Sequence, residues 1–525
     1  MRQRDFPKAN DLALLLMMGV VTVSVLLTAT AEVAGLVALH RWLPLQGGFF
    51  ITATRVLSHL SNPTNALGTT LVSPLLYWFI TITVSGTLAL ICARLRVVVT
   101  RRLATPARGM SPARDVRHEL RGPGLDLGID VSTRLHLHSR YEDSLLVLAP
   151  PRMGKTSSVI IPNLVDFPGA AVATSTRAEL FELTGHLRPG PVYLFDPTHF
   201  VPGAPRIGFD PIRGCADPLV AILMSRAFVA ASHAGRGVTN ADYWTGQATK
   251  LLRCLFLAAA LNDGDIRTAL GWLSDPDSTD VGDVLLDAAS APTWAKDWLG
   301  IRNTPARERA SIYNSARHAM ECFADPRVVD SCCPGPGNGI DLRRVLMERA
   351  TIYVAADSRS QDTIAALIAA LVERLVDVAR REAAAAPGGR LLIPLGLFLD
   401  EAPQIAPVPS LPAIMADGGG SGITTIVVLQ SLSQARHRWG PHAADVIWNA
   451  ATAKLVFGGM GEEDDLERIS RLCGELDEPT RSVNRGGSHS SETIGTRRAR
   501  VLNASAIREL PIGEALLLYR RMQPI

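Results

Sequence analysis

The sequence predicts an α/β fold built on a phosphate-binding loop, interrupted by an all-α insertion and preceded by a two-helix transmembrane hairpin. Three observations predict it. Two long apolar stretches without charge lie near the N-terminus, over Leu12–Ala31 and Leu71–Ala93. The segment LLVLAPPRMGKTSSVIIPNL, Leu145–Leu164, sets a short apolar run ahead of Gly-Lys-Thr. Two more apolar runs, LLIPLGLFLDEAP and ITTIVVLQ, end in Asp400-Glu401 and Gln430, whereas strand signals vanish between about Pro218 and Val329.

A chain of 525 residues with 47% apolar content can bury more than one core. The net charge of +3 gives no global electrostatic case for nucleic acid, so any basic patch must be local. The seven cysteines are odd in number and lack zinc-type paired spacing, which predicts reduced, packed thiols. The resulting division is a membrane anchor over 1–100 with spans at about 12–39 and 71–93, a linker over 101–134, a nucleotide-binding domain over 135–215 and 346–525, and the all-α insertion over 216–345.

Each apolar stretch is long enough, at about 1.5 Å per residue, to cross the roughly 30 Å of a bilayer core. Ala29-Thr30-Ala31 resembles a signal-peptidase site, but the apolar run is longer than a signal core. Arg2, Arg4 and Lys8 precede the first span and Arg94, Arg96, Arg101 and Arg102 follow the second, against Arg41 and Arg55 between them. The positive-inside bias therefore predicts a multi-pass protein of the cell membrane with both termini cytoplasmic.

In APPRMGKTS the spacing is that of the phosphate-binding loop, with Ala149 in place of the first glycine. Amides over Arg152, Met153, Gly154, Lys155, Thr156 and Ser157 would converge on phosphate at the N-terminus of the next helix, which Pro162 can kink. Lys155, one of only five lysines in the chain, would hold the terminal phosphates. Asp400, at the end of a buried strand, would hold magnesium together with Thr156, and Glu401 would polarise the attacking water. Gln430 is placed to sense the γ-phosphate. Both the acidic and the amide strand are expected beside the phosphate-loop strand. No guanine-reading Asn-Lys-x-Asp occurs, so ATP with Mg2+ is the expected cofactor.

Beyond this loop the stretches IIPNLVDFPGAAVATSTRAEL, VYLFDP, GFDPIRGCAD, DYWTGQATKLLRCL, LFLDEAPQIAPVPSLPAIMADGGGSGITTIVVLQSLSQARHRWG and LNASAIRELPIGEALLLYRRMQP follow in order. With them the chain resembles the coupling-protein ATPases of type IV secretion and conjugation, the TraG/TraD-type family, in an actinobacterial-like version. The resemblance implies a RecA-like P-loop ATPase domain assembled as a homo-hexameric ring at the cytoplasmic face. Such a ring would feed relaxase-bound single-stranded DNA, secreted proteins or both to the type IV secretion channel. By position, Lys155, Thr156, Asp400, Glu401 and Gln430 match the family's nucleotide-site residues.

Two departures stand out. Ser175 and Arg177 occupy positions where the family often has Asp and Lys, and Asp417-Gly418-Gly419-Gly420 replaces a region that often carries a finger arginine. Arg436, Arg438 and Arg140 are the alternative finger candidates. Two other functions share the core: a double-stranded DNA translocase of the chromosome-segregation type, and a docking platform that binds nucleotide without hydrolysis. The hairpin and the insertion favour the coupling ATPase.

In the insertion, Tyr243, Trp244, Trp272, Trp294 and Trp298 are candidates for a partner surface, although core packing is their commoner fate. A strand at Ile352–Ala356 precedes a long helix over Asp362–Ala386. Polar, basic Pro479–Arg500 reads as a mobile loop in which Arg497, Arg498 and Arg500 could meet phosphates. Cys332 and Cys333 form a candidate thiol pair in a Pro/Gly-rich turn. His136 and His138 share one strand face, as a metal pair requires, but no third histidine or tyrosine nucleophile lies nearby in sequence, and the metal reading is set aside.

Overall fold

A computed structural model describes residues 25, 29–30, 33, 36–37, 40, 48–63, 73–103, 109–232, 240–357, 361–486 and 489–525. The chain divides into two compact units, Met1–Thr105 and Pro106–Ile525.

The first unit contains helices Gly48–Ser58 and Pro74–Leu103. The second predicted span, 71–93, falls largely on the latter. The first, 12–39, lies almost wholly outside the described residues. Ser85 and Thr87 return their hydroxyls to the carbonyls of Thr81 and Thr83. Among the described residues no helix is long and apolar enough to cross a membrane.

The second unit begins with a short antiparallel ribbon of β1 (Asp126–Ile129) and β2 (His136–His138). The main sheet follows as β3 (Leu145–Leu148), β4 (Ala171–Ser175), β5 (Val192–Phe195), β6 (Thr351–Ala355), β7 (Leu395–Leu399), β8 (Ile423–Leu429) and β9 (Ala453–Phe457). A second ribbon, β10 (Glu475–Gly486) with β11 (His489–Arg500), precedes the last strand, β12 (Ala515–Tyr519). Eight strands form one sheet in the order β12-β9-β3-β8-β7-β4-β6-β5, parallel except for β12 against β9.

Every residue of β3, β4, β6, β7 and β8 is buried. Continuous Leu/Val/Ile runs are what a parallel sheet covered on both faces demands. Alternate side chains enter two cores: Leu146 and Leu148 of β3 join one, Leu145 and Val147 the other. The order corrects one expectation. The amide strand β8 is the direct neighbour of β3, but the acidic strand β7 lies beyond it, so only one of the two flanks the phosphate-loop strand.

Six helices matter for the site. Helix α1 (Ile161–Asp166) continues a π-helical turn at Thr156–Ile160. Helices α2 (Pro218–Ala231) and α3 (Ala241–Leu261) open the insertion, and α4 (Gln361–Ala385) follows it. Helix α5 (Leu411–Ser421) leads into β8, and α6 (Leu432–Trp439) leaves it.

Among the described residues no strand occurs between Phe195 and Thr351, as expected for the insertion. Its helices share one apolar core with a face of the sheet and with α4. Asp217 caps α2 by accepting from the Leu219 amide, and its carboxylate also takes Arg381 of α4 at 2.9 Å. Trp272, Trp294 and Trp298 are buried in this core, Trp244 is partly buried against it, and only Tyr243 is exposed. The four tryptophans therefore serve packing. Cys332 is fully buried and burial pushes its thiol well up, so the Cys332–Cys333 turn lacks a reactive thiolate on that side.

Pro479–Arg500 is not a loop. Glu475–Gly486 pairs residue for residue with His489–Arg500. The sequence there has no apolar alternation; the β-branched Thr480, Val483, Thr493, Ile494 and Thr496 favour the strand instead. Arg497 and Arg498 are exposed, whereas Arg500 is tied to Glu467 at 2.7 Å and to Ser470 at 3.0 Å.

Candidate nucleotide-binding site

The site lies at the carboxyl edge of the sheet, where parallel strands place loops and helix N-termini together. Ala149 follows β3 directly, is fully buried and donates its amide to the Leu429 carbonyl at 2.9 Å. Ala149 does not take a positive φ, so the glycine of the usual pattern is not required at that point. Further on the loop does need special backbone: Arg152 has φ 66° and Gly154 has φ 84°. The Ser158 amide then bonds the Gly154 carbonyl at 2.8 Å and closes the first helical turn.

Four predicted residues converge. Thr156 Oγ1 donates to Asp400 Oδ2 at 2.7 Å. Lys155 Nζ lies 3.5 Å from Asp400 Oδ1 and 3.3 Å from Glu401 Oε1. The Lys155 and Asp400 side chains are only 10% and 8% exposed, so their attraction is little screened; Glu401, at 24%, faces more solvent. Asp400 Oδ1 is buried and accepts no hydrogen bond. The hydroxyl of Thr156 and the two Asp400 oxygens are hard donors of the kind magnesium takes, and Oδ1 keeps its hydrogen-bonding capacity unused.

Glu401 adopts a left-handed backbone, φ 51° and ψ 42°, at the start of the helix Ala402–Ile405. Such a conformation costs a non-glycine residue about 1–3 kcal/mol and collects at functional sites. It turns the chain sharply after β7, so that consecutive carboxylates both reach Lys155. Register puts Gln430 at the same sheet edge, directly after Leu429, which pairs with Leu148. Its carboxamide oxygen is held by Gln434 Nε2 at 3.4 Å rather than by the acid pair. Met153, half-buried, lies near Gly459, Ser157 bonds the Gly154 carbonyl at 3.1 Å, and Arg152 is exposed.

The three arginine candidates differ in freedom. Arg436 is bound to Asp465 at 2.9 Å and to Glu462 at 3.2 Å. Arg438 donates to the Ala231 carbonyl of α2. Arg140 is half-exposed, with Glu142 at 3.5 Å. The glycine run Gly418–Gly420 lies in α5, where a Cβ on Gly419 would stand 2.1 Å from the Glu142 carbonyl oxygen. That contact explains why this stretch carries no large side chain at Gly419.

Sequence reading missed the supports. Thr174 Oγ1, buried in β4, donates to the Asp400 carbonyl at 3.1 Å. Arg188 is 7% exposed and donates to the carbonyls of Phe167 and Gly169 at 2.6 and 2.7 Å, to Leu164, and to Thr351 Oγ1 at 2.8 Å. It fastens the end of α1 to β6. Neither residue sits in a spacing pattern that could have revealed it, since Thr174 meets Asp400 and Arg188 meets Thr351 across more than 160 positions of sequence.

A Gly-Lys-Thr loop after β3, an amide strand beside it and an acid pair one strand further give the architecture of a RecA-like P-loop fold. Within that class the chain belongs to the type IV secretory system conjugative DNA transfer family, whose model matches residues 138–525. It is 22% identical over 389 residues to conjugal transfer protein TraG of Escherichia coli, covering 69% of this chain and 59% of that protein. It is 23% identical over 403 residues to protein VirD4 of Rhizobium rhizogenes, covering 72% of this chain and 57% of that protein. The chain thus spans less than three-fifths of the length of these curated relatives. Among solved structures it resembles the unbound bacterial conjugative coupling protein TrwBdeltaN70, with TM-score 0.58 and 16% identity over 78% of this chain and 90% of that one. It also resembles plasmid coupling protein TrwB in complex with ADP and Mg2+, with TM-score 0.57 and 16% identity over 79% and 91% of the two chains.

Proposed function

We propose that this chain is a membrane-anchored, Mg2+-dependent ATPase that energises passage of a DNA–relaxase complex, secreted proteins or both into a type IV secretion channel. The observation that carries the reading is the convergence of Lys155, Thr156, Asp400 and Glu401 at one sheet edge, 3.5 Å or less apart. Family membership and the ligand in the ADP–Mg2+ complex of TrwB support it. So do the charge-free segments near the N-terminus, which support an anchor in the cell membrane with cytoplasmic termini. A homo-hexamer is part of the proposal, as a ring supplies the trans arginine that this chain does not place in its own site.

In this reading Lys155 exchanges its two carboxylate partners for the terminal phosphates, whose charge it holds. Thr156 and Asp400 hold the ion, and bound magnesium would neutralise phosphate charge as the bond breaks. Glu401, released from Lys155, is free to orient water and accept its proton. Gln430 reports the γ-phosphate to α6 through Gln434.

The test is ATP turnover by the full-length protein in detergent, alone and with single- or double-stranded DNA. Lys155→Ala should abolish Mg2+-dependent turnover, and Glu401→Gln should lower it by about 10²–10⁴-fold while leaving nucleotide binding intact. Stimulation chiefly by duplex would replace this reading with a double-stranded DNA translocase. Absence of turnover in an assembled ring would replace it with a docking platform, and turnover indifferent to DNA would direct it to protein cargo.

A further inference from the structure

The structure supplies what the sequence withheld from His136 and His138. Their rings stack with centroids 5.0 Å apart, so both imidazoles present nitrogen to the same side of β2. Asp126 is paired directly across the ribbon from His138, and its Oδ1 lies 3.5 Å from His136 Nδ1. One ligand atom from each of the three residues lies within 4.8 Å of the others. Ligand atoms around a tetrahedral ion at about 2.0–2.1 Å stand roughly 3.3 Å apart, so the Asp126–His136 pair is already near that spacing, and the His138 atom lies within 4.8 Å of both.

We propose that Asp126, His136 and His138 form a binding site for a divalent ion of the zinc class, separate from the nucleotide site. Two imidazoles and one carboxylate are borderline donors that suit zinc, whereas Thr156 and Asp400 offer only hard oxygen. The Gly128 amide donates to Asp126 Oδ1 at 2.8 Å and orients the carboxylate, as the outer partner of a metal ligand does. A cavity of about 390 Å³ adjoins Asp126 and His138, lined also by Arg121, Tyr141, Asn163 and Asp166. His136 is exposed and Asp126 and His138 are partly so, which gives the ion a path in.

The site is tied to the phosphate-loop helix. Asn163 of α1, 3% exposed, accepts from the Asp126 amide at 2.7 Å and donates to the Asp126 carbonyl at 2.8 Å. The same Nδ2 donates to the Val159 carbonyl at 2.8 Å. An ion held by β1 and β2 therefore fixes the ribbon that grips the helix behind Lys155, without touching nucleotide.

The experiment is a Co2+ titration of the chelator-stripped, full-length protein without nucleotide, read by visible absorption and followed by Zn2+ competition and thermal melting. One Co2+ per chain should give the intense bands of a four-coordinate nitrogen–oxygen site, Zn2+ should remove them, and Zn2+ should raise Tm. His136→Gln, on an exposed ring, and Asp126→Asn should each reduce the bands at least tenfold and remove the Zn2+ shift in Tm. Asp400→Asn should leave both unchanged. Bands absent from the wild type, or retained in His136→Gln, would overturn the proposal; a loss with Asp400→Asn instead would assign the ion to the nucleotide site.

Discussion

Lys454 shows how one residue's surroundings set a measurable pH response. It lies in β9, paired with Leu146 of β3, with its ammonium 5.3 Å from the Trp448 ring and donating to the Ala451 carbonyl. Burial, helped by the charge of Arg468, lowers its pKa from 10.5 to about 8. The folded state thus sheds this proton near pH 8, while the unfolded chain keeps it to about 10.5. Between those values the unfolded state binds more protons, so this residue makes stability rise with pH. Lys454→Met should flatten the rise of Tm between pH 8 and 10, measured by thermal melting of the two proteins side by side. At the site itself, the loop spacing and the acidic strand end made the meeting of Lys155, Thr156 and Asp400 legible. The left-handed turn at Glu401 was not legible, since strain belongs to backbone that only the packed helix after β7 can impose.

Elements are held in place by contacts far apart in sequence. Arg188 joins α1, the turn after it and β6 through four carbonyl or hydroxyl acceptors. Burial lowers its pKa, yet replacing it would strand all of those acceptors. Arg188→Met should therefore destabilise the protein by about 2–4 kcal/mol, read by denaturant unfolding, and should weaken nucleotide binding through the loosened α1. Helix α5 gives a paired test. Gly419→Ala drives a Cβ to 2.1 Å from the Glu142 carbonyl oxygen and should cost about 1–3 kcal/mol. Gly420 is exposed with nothing within 4 Å of its Cβ position, so Gly420→Ala should be neutral or stabilise by up to about 1 kcal/mol. The same melting experiment separates the two. Strands β3, β6, β7 and β8 were readable because a doubly covered strand is a largely apolar run, whereas the polar sequence of the ribbon β10–β11 offered no such period and read as a loop.

At the scale of the molecule, the insertion is not a detachable module. Its helices and one face of the sheet share a single core, and Arg381 of α4 reaches back to the cap of α2. Removing Pro218–Val329 would uncover that face, and the deleted protein should lose cooperative melting rather than merely lose cargo. Circular dichroism against temperature checks this, and a folded deletion variant would refute the shared core. Cargo recognition is better probed by changing exposed residues such as Tyr243, which bonds Glu308 at the surface. If the proposed turnover is stimulated by DNA, selective loss of that stimulation with basal turnover unchanged would place DNA contact on that face.

By itself, the sequence determined which apolar segments are buried strands, that a helical stretch interrupts them, and which of Lys155, Thr156, Asp400 and Glu401 to look for together at a strand edge. Those follow from local rules: apolar continuity, loop spacing and the charge a ligand requires. Tertiary structure alone decided that β8 stands between the phosphate loop and the acid pair, that Thr174 and Arg188 support the site, and that Asp126 completes the pair formed by His136 and His138. Each of these depends on which strands and loops meet in space. Pairing across a sheet is set by burial summed over the whole chain, and no window of sequence contains that sum.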